Sequence, residues 1–430
     1  MEPPKNGQLD FPFYEALYKD LHQNPGLSLQ EVYASTKVSE NLNRLNESLP
    51  ADSKFDIHEG IGGYGIAAVL KNGPGPKVLL RADMDALPVQ EKTGLPYAST
   101  KREVDRSDGI EKPLMHACGH DMHITCLLAA SDTLVHRLCE WSGTLILIFQ
   151  PNEERGAGAQ AMVDGGLYSK IPEPDVVLGQ HVMPRKAGTV TVRTGTQMAA
   201  ADSFKITLFG RGGHGSMPHN CIDPVLLGAN VVTRLHQVVG REIDPSEPAV
   251  LTVGSLQSGD TENVISEYAI IRANVRSQSP QNRERILAAM TRIVKGECQA
   301  SGCTKDPLIE GTTRFPMTVN DAGATAKVKA SFSKTFGEKF EPERPAMNAS
   351  EDVSILATSV GKPSCFWFFG GTDRERYDRA EKDGRTAEDI PVNHSSYFAP
   401  VIQPTLKTGA EALCSGAMTF FGKGKQAAEC

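Results

Sequence analysis

Residues 145–154 read LILIFQPNEE: an apolar run that turns polar at Gln150, meets a proline and ends on two adjacent carboxylates. A short, continuously apolar run is the mark of a strand buried on both faces, as in a parallel sheet sandwiched by helices. Residues 78–81, 176–180 and 364–369 have the same character, and each gives way to polar or glycine-rich sequence with helical patterns between. Four such runs predict an α/β domain with a mostly parallel sheet covered by helices. In open sheets of this kind, ligands bind outside the carboxyl ends of the strands. Asp83 and Asp85 follow the first run, Glu153 and Glu154 the second, and His181 ends the third. Independent strands thus deliver ligand-type side chains to one edge.

Residues from about 201 to 311 read differently. Phe204, Ile206 and Leu208 alternate with Lys205, Thr207 and Phe209, the pattern of a half-buried strand. Asp223-Pro224 supplies an N-cap and a first-turn proline for a helix running through Val239. Residues 249–255 and 268–276 read as further strands, and Ile286, Met290 and Ile293 mark a second helix. This β-α-β-β-α order predicts a ferredoxin-like α+β module inserted in the first domain, giving segments 1–200, 201–311 and 312–430. Near the start, Asn24-Pro25-Gly26 breaks one helical pattern, and Ser28 with Glu31 has the spacing of a capping box opening the next.

At 430 residues the chain has ample length to bury a core, with 40% apolar and 23% charged residues. Its 45 basic and 52 acidic side chains leave a net charge of −7, without long basic runs, which argues against nucleic acid as a partner. No apolar run approaches a membrane span, and the first residues do not read as a secretory signal. Nine scattered cysteines, an odd count, do not read as a disulfide framework, so a cytoplasmic setting is expected.

The densest chemistry lies in Met115–His123, MHACGHDMH, with three histidines, a cysteine and a carboxylate. Any one of these alone is read more simply as part of a polar loop; their density favours a metal. Adjacent Glu153 and Glu154 repel unless a cation separates their roles, one binding metal and one taking a proton from water. His181 in GQH and His394 in NHSS are weak signals alone, strengthened by position.

The stretches LLRADMDALPVQE, MHACGHDMH, FQPNEERGAGAQAMVDGGL, GQHV, GRGGHGSMPH, ENVIS and NHSSYF together resemble the M20 metallopeptidase and amidohydrolase family, in its aminoacylase, hippurate hydrolase and indole-acetyl-amino-acid hydrolase-like subgroup. They run in family order from about residue 14 to 420. The resemblance implies two divalent ions, Zn²⁺ foremost with Mn²⁺ or Co²⁺ as alternatives, bridged by Cys118 and further held by His120, Glu154, His181 and His394. It implies Glu153 as general base and then acid, and Asp85 as the carboxylate that orients a ligand histidine. In the inserted module it implies His214 as an oxyanion donor reaching a partner subunit's site, with Asn263 contacting substrate and Arg276 a candidate for its carboxylate. A homodimer through that module follows, with the 204–209 strand apolar enough to take part in edge pairing.

The implied activity is cleavage of the amide bond in an N-acyl amino acid or related small conjugate. A dipeptidase or carboxypeptidase would use the same metal site. A non-catalytic metal-binding or redox-sensing protein is the alternative of another class, and Glu153 speaks against it, since a mere metal binder needs no second carboxylate there. Three features depart from the family pattern. Ser266 stands where proline usually follows NVI, which loosens the loop holding Asn263. Residues 101–113, KREVDRSDGIEKP, form a longer connection than usual, and residues 372–389 add a second polar stretch. Both stretches are expected beside the site, where they would reshape substrate choice.

Overall fold

Among residues 10–51 and 53–424, which the computed structural model describes, the strand at 145–150 lengthens to Trp141–Gln150 and lies inside an eight-stranded sheet. The order is Asp56–Ile61, Gly65–Asn72, Trp141–Gln150, Lys77–Asp83, Val176–Lys186, Ser364–Thr372 and Val190–Thr191, with Gly422–Lys423 paired off this path to Trp141–Gln150. The four strands expected from sequence are the central ones and run parallel; the outer pairings are antiparallel. Each is longer than its apolar run. His181 therefore lies within Val176–Lys186 rather than at its end, because the strand continues through half-exposed Pro184, Arg185 and Lys186.

Both faces of the sheet are covered, which is why the runs are apolar at every position rather than at alternate ones. Leu80, Leu147, Phe149, Leu178 and Trp367 face one core with helices Phe11–Gln23, Val32–Ser48, His120–Val135, Ala322–Phe336 and Ile402–Met418. Leu79, Ile146, Ile148 and Phe368 are equally buried on the opposite face. Each fully buried large apolar side chain contributes about 1.5–3 kcal/mol. The helix His120–Val135 is buried almost all round, as a central helix without a polar stripe must be. No helix among the described residues is long and apolar enough to cross a membrane.

The expected capping box does not form. Glu31 is the N-cap of Val32–Ser48 but makes no side-chain cap bond. Ser28 instead donates to Asp85 at 2.6 Å, and Glu31 accepts from the backbone N–H of Leu29 and of distant Asn152. Long-range demand for these oxygens overrides the local motif.

The described residues divide into two compact units, one made of the segments before 198, 319–345 and those from 352 on, the other of 198–318 and 346–351. The second thus runs beyond the 201–311 boundary read from the sequence and takes in a short later segment. Its sheet has the order Ala249–Gln257, Tyr268–Ser277, Ala200–Phe209, Leu308–Phe315, all antiparallel. With helices Pro224–Leu235, Gln237–Glu242 and Pro280–Ala300 around the core of Ile206, Leu208, Val231, Ile271, Ile286 and Met290, this is the ferredoxin-like arrangement. The helix expected through Val239 is two helices meeting at His236 and reaching Glu242. The 204–209 strand is not an edge: Ala200–Phe209 is paired on both sides, so its backbone groups are already used. The free edges belong to Ala249–Gln257 and Leu308–Phe315.

Candidate active site

All five predicted ligands lie in the first unit, near the carboxyl ends of the parallel strands. Asp83 is level with Gln150, and the pairing of Lys77–Asp83 with Val176–Lys186 stops at Arg81 opposite Gly179, although both strands run on. Above that point the MHACGHD loop enters, and Gly119 starts the His120–Val135 helix in a left-handed conformation. A Cβ at Gly119 would come within 2.4 Å of Val182 Cγ1, so glycine is required both for its φ of +83° and for space. Cys118 sits at the amino end of this helix, where the dipole favours a thiolate.

His181 Nε2 lies 3.4 Å from Cys118 Sγ, and its Nδ1 is 2.7 Å from the Val182 carbonyl oxygen. That contact puts the proton on Nδ1 and aims the Nε2 lone pair at the sulfur. Burial, reinforced by neighbouring His123, pushes the His181 pKa well down, so the imidazole is neutral, the form a metal takes. Glu154 places one oxygen 3.8 Å from His120 Nε2 and the other 3.3 Å from His394 Nε2. His394 reaches the site from a left-handed backbone (φ 69°), anchored by its N–H to the Ala117 carbonyl at 2.8 Å.

Donor atoms of Cys118, His120 and His181 lie within 4.8 Å of one another, and so do those of Cys118, Glu154 and His394. The two groups share the sulfur. A third group, His120 with Glu153 and Glu154, adds buried Glu153 beside the ligand set. Asp85 accepts from the backbone N–H of both Glu153 (3.1 Å) and Glu154 (3.0 Å) and lies 3.4 Å from His120 Nδ1.

The residues fit a cation. Neither ring nitrogen of His120 has a hydrogen-bond partner although the ring is fully buried, and Glu154 Oε1 is likewise buried and unpaired. Burial would keep His120 neutral, but Asp83, Asp85 and Glu154 outweigh it and hold its pKa up to about 10, so these carboxylates call for positive charge at this point. Burial, with the negative field of Glu154 and Glu153, pushes the Cys118 thiol up; a cation against the sulfur reverses that.

The two other histidines of the motif differ: donor atoms of His123 lie within 4.8 Å of those of Asp83 and His120, whereas His116 joins no such group among the described residues. His123 Nδ1 donates to Asp83 at 2.5 Å and its Nε2 accepts from Val182 N–H at 2.8 Å, so both nitrogens are committed. His116 is buried, with its pKa lowered to about 4 by burial. The sequence counted Asp83 among the ligand-type side chains at the strand ends without giving it a partner; it bonds His123 and takes an ion pair from buried Arg81 at 2.7 Å. Sequence reasoning missed Asn393, whose amide donates to the Cys118 and Val182 carbonyls at 3.4 and 3.2 Å.

His214, Asn263 and Arg276 belong to the second unit. Gly213–His214 pairs with Val264–Ile265, and the Gly215 N–H donates to the Asn263 carbonyl at 2.8 Å, so His214 and Asn263 are neighbours. His214 is exposed; its Nδ1 accepts from Ser216 N–H at 3.1 Å, which leaves the proton on Nε2 as a donor. Arg276 does not face solvent freely: its guanidinium donates to Asn274 Oδ1 at 3.0 Å and the Asn348 carbonyl at 2.7 Å.

A parallel α/β sheet carrying a Cys/His/Glu donor set and a ferredoxin-like second unit define a metal-dependent hydrolase of the two-unit peptidase type. The profile of Peptidase family M20/M25/M40 matches residues 79–399, and the chain belongs to that family. It is 34% identical over 410 residues to thermostable carboxypeptidase 2 of Saccharolobus solfataricus, covering 94% of each chain. It is 36% identical over 348 residues to hippurate hydrolase of Campylobacter jejuni, covering 80% of this chain and 84% of that one. Its fold matches the crystal structure of the Bacillus subtilis YXEP protein, a dinuclear metal binding peptidase from the M20 family, with a TM-score of 0.71 at 24% identity over 95% of this chain and 97% of that one.

Proposed function

We propose that the chain hydrolyses the amide bond of N-acyl amino acids or related small amino-acid conjugates, on two divalent ions held by Cys118, His120, Glu154, His181 and His394. The observation that carries this reading is the pair of donor groups sharing the Cys118 sulfur, with a further buried carboxylate beside them. Ions bound there would supply Lewis acidity and lower the pKa of water, so that hydroxide is available near neutral pH. Glu153 takes the proton of the attacking water and returns it to the leaving nitrogen. Asp85 lies against His120 Nδ1 at 3.4 Å and, through two backbone N–H groups, holds the Glu153–Glu154 turn. The mixed thiolate, imidazole and carboxylate set suits Zn²⁺, with Mn²⁺ or Co²⁺ as alternatives.

His214 Nε2 is the oxyanion donor in this reading, supplied to a partner chain's site, with Asn263 and Arg276 as substrate contacts. The homodimer forms through the second unit at the Ala249–Gln257 edge, where exposed Val225, Leu226 and Leu256 add apolar surface. The identity to a carboxypeptidase over nearly its whole length supports a second reading, peptide cleavage at the same metals. A panel of N-acetyl and N-benzoyl amino acids against dipeptides separates the two. It is run on metal-stripped enzyme refilled with Zn²⁺, Mn²⁺ or Co²⁺. Faster turnover of dipeptides under every metal rejects the first reading.

A further inference from the structure

Four consecutive residues of the acidic turn are held by carboxylates outside the proposed ligand set. Asn152 N–H donates to Glu31 at 2.9 Å, Glu153 and Glu154 N–H donate to Asp85, and Arg155 Nη2 donates to both oxygens of Asp105 at 3.2 and 3.4 Å. The three acids come from three separate segments, and all are buried. We infer that Glu31 and Asp105 are positioning residues for Glu153, clamping the turn on either side of it. The inference rests on the reading of Glu153 as general base.

The clamp is itself built. Asp105 lies in the hairpin Arg102–Asp105 and Ile110–Pro113, which occupies the long connection before the MHACGHD loop. It accepts from Ser107 N–H at 2.9 Å, Ser107 Oγ at 2.6 Å and Lys112 Nζ at 2.9 Å, so the oxygens offered to Arg155 are fixed. Gln30, next to Glu31, bonds the same hairpin twice, donating to the Val104 carbonyl at 3.1 Å and accepting from Arg106 N–H at 2.8 Å. Loop, hairpin and turn thus close a ring around the base. Asn152 has a left-handed backbone (φ 56°), which asparagine adopts more readily than other non-glycine residues, and this bend turns its N–H to an acceptor outside the turn. Its N–H goes to Glu31 Oε1, which also accepts from Leu29 N–H at 2.8 Å. A strap of this kind fixes where the Glu153 carboxylate meets water, and not how tightly metal or substrate binds.

The test uses the metal-loaded enzyme and its best amide substrate. Asp105→Asn and Glu31→Met, the latter removing the oxygen that accepts from Leu29 and Asn152, should keep wild-type metal content and a KM within about two-fold, while kcat falls about 10- to 100-fold, as expected for a misplaced reacting group. In a Glu153→Gln background, where no base remains to be placed, adding Asp105→Asn should change the residual kcat by less than about two-fold. Arg155→Met removes the same contact from the other side and serves if Asp105→Asn does not fold. Wild-type kcat in both Asp105→Asn and Arg155→Met overturns the inference, as does an equal loss with and without Glu153. A Glu153→Gln enzyme of wild-type kcat would instead sink the reading of the base itself.

Discussion

His181 presents Nε2 to the Cys118 sulfur at 3.4 Å, its other nitrogen spent on the Val182 carbonyl. The ring is locked in the one tautomer that leaves a lone pair facing the sulfur, and the sulfur belongs to both donor groups. Cys118 is therefore the residue whose loss should disturb both ions at once.

Cys118→Ser keeps shape and hydrogen bonding but replaces a thiol by an alcohol that is far harder to deprotonate. Metal content should fall from about two ions per chain, and turnover with it, as read by elemental analysis and assay of the same sample. Full activity of verified metal-free protein would end the metal reading altogether.

The neighbouring glutamates should separate cleanly. Glu153→Gln should lose about 10²–10⁴ in kcat with metal content near wild type. Glu154→Gln should lose metal, because its two oxygens approach His120 and His394. The reverse pattern would exchange their roles.

Gly119→Ala tests the entry of the central helix. Alanine at φ +83° is strained, and its Cβ would meet Val182 at 2.4 Å. A loss of about 1–3 kcal/mol is expected from the strain alone, read from urea unfolding, with weaker metal binding because Cys118 and His120 flank the position.

His22 carries a pH dependence. It is fully buried between Asp121 at 2.6 Å and Glu91 at 3.1 Å. Burial alone would lower its pKa, but the two carboxylates raise it from 6.5 to about 9. A folded pKa above the unfolded one means stability that is complete below about pH 6.5 and lost as pH rises through about 9. Unfolding free energy should decline across that window in the wild type. His22→Gln should be less stable at pH 6 and lack that part of the slope; an unchanged slope would exclude His22 as its source.

How much of this was legible in the sequence depended on whether a residue's role is local. The apolar runs at 78–81 and 145–150 announced buried parallel strands, and HACGH placed Cys118 and His120 together because three residues at a helix entry cannot be far apart. Strand ends were not legible: Val176–Lys186 continues through Pro184 and Arg185, which read as loop. Ser28 and Glu31 matched a capping box, yet both answer to partners more than 50 residues away. The 204–209 strand was apolar enough for an edge, but strand order depends on neighbours that one strand's pattern does not encode. Asp83 and His123 lay inside stretches already singled out. Only the fold reveals that they bond each other.

His214 decides whether each site is built from two chains. Its Nδ1 is held by Ser216, so Nε2–H is the donor, and the ring is exposed on the second unit. A donor to the oxyanion contributes about 10²–10³ in turnover, so His214→Ala should be slow while folded and metal-loaded. Glu153→Gln is slow for a separate reason. If His214 acts across the dimer, subunit exchange between the two dead variants puts both lesions in one site of the mixed dimer and neither in the other. With equal amounts, about half the dimers are mixed and half their sites intact, so roughly a quarter of wild-type activity should return. If His214 acts within its own chain, every site keeps one lesion and nothing returns. Exchange must be demonstrated separately, for instance by mass-tagged subunits. With exchange proven, activity that stays at the level of the two variants rules out a role in trans and leaves the Ala249–Gln257 edge without a catalytic reason to pair.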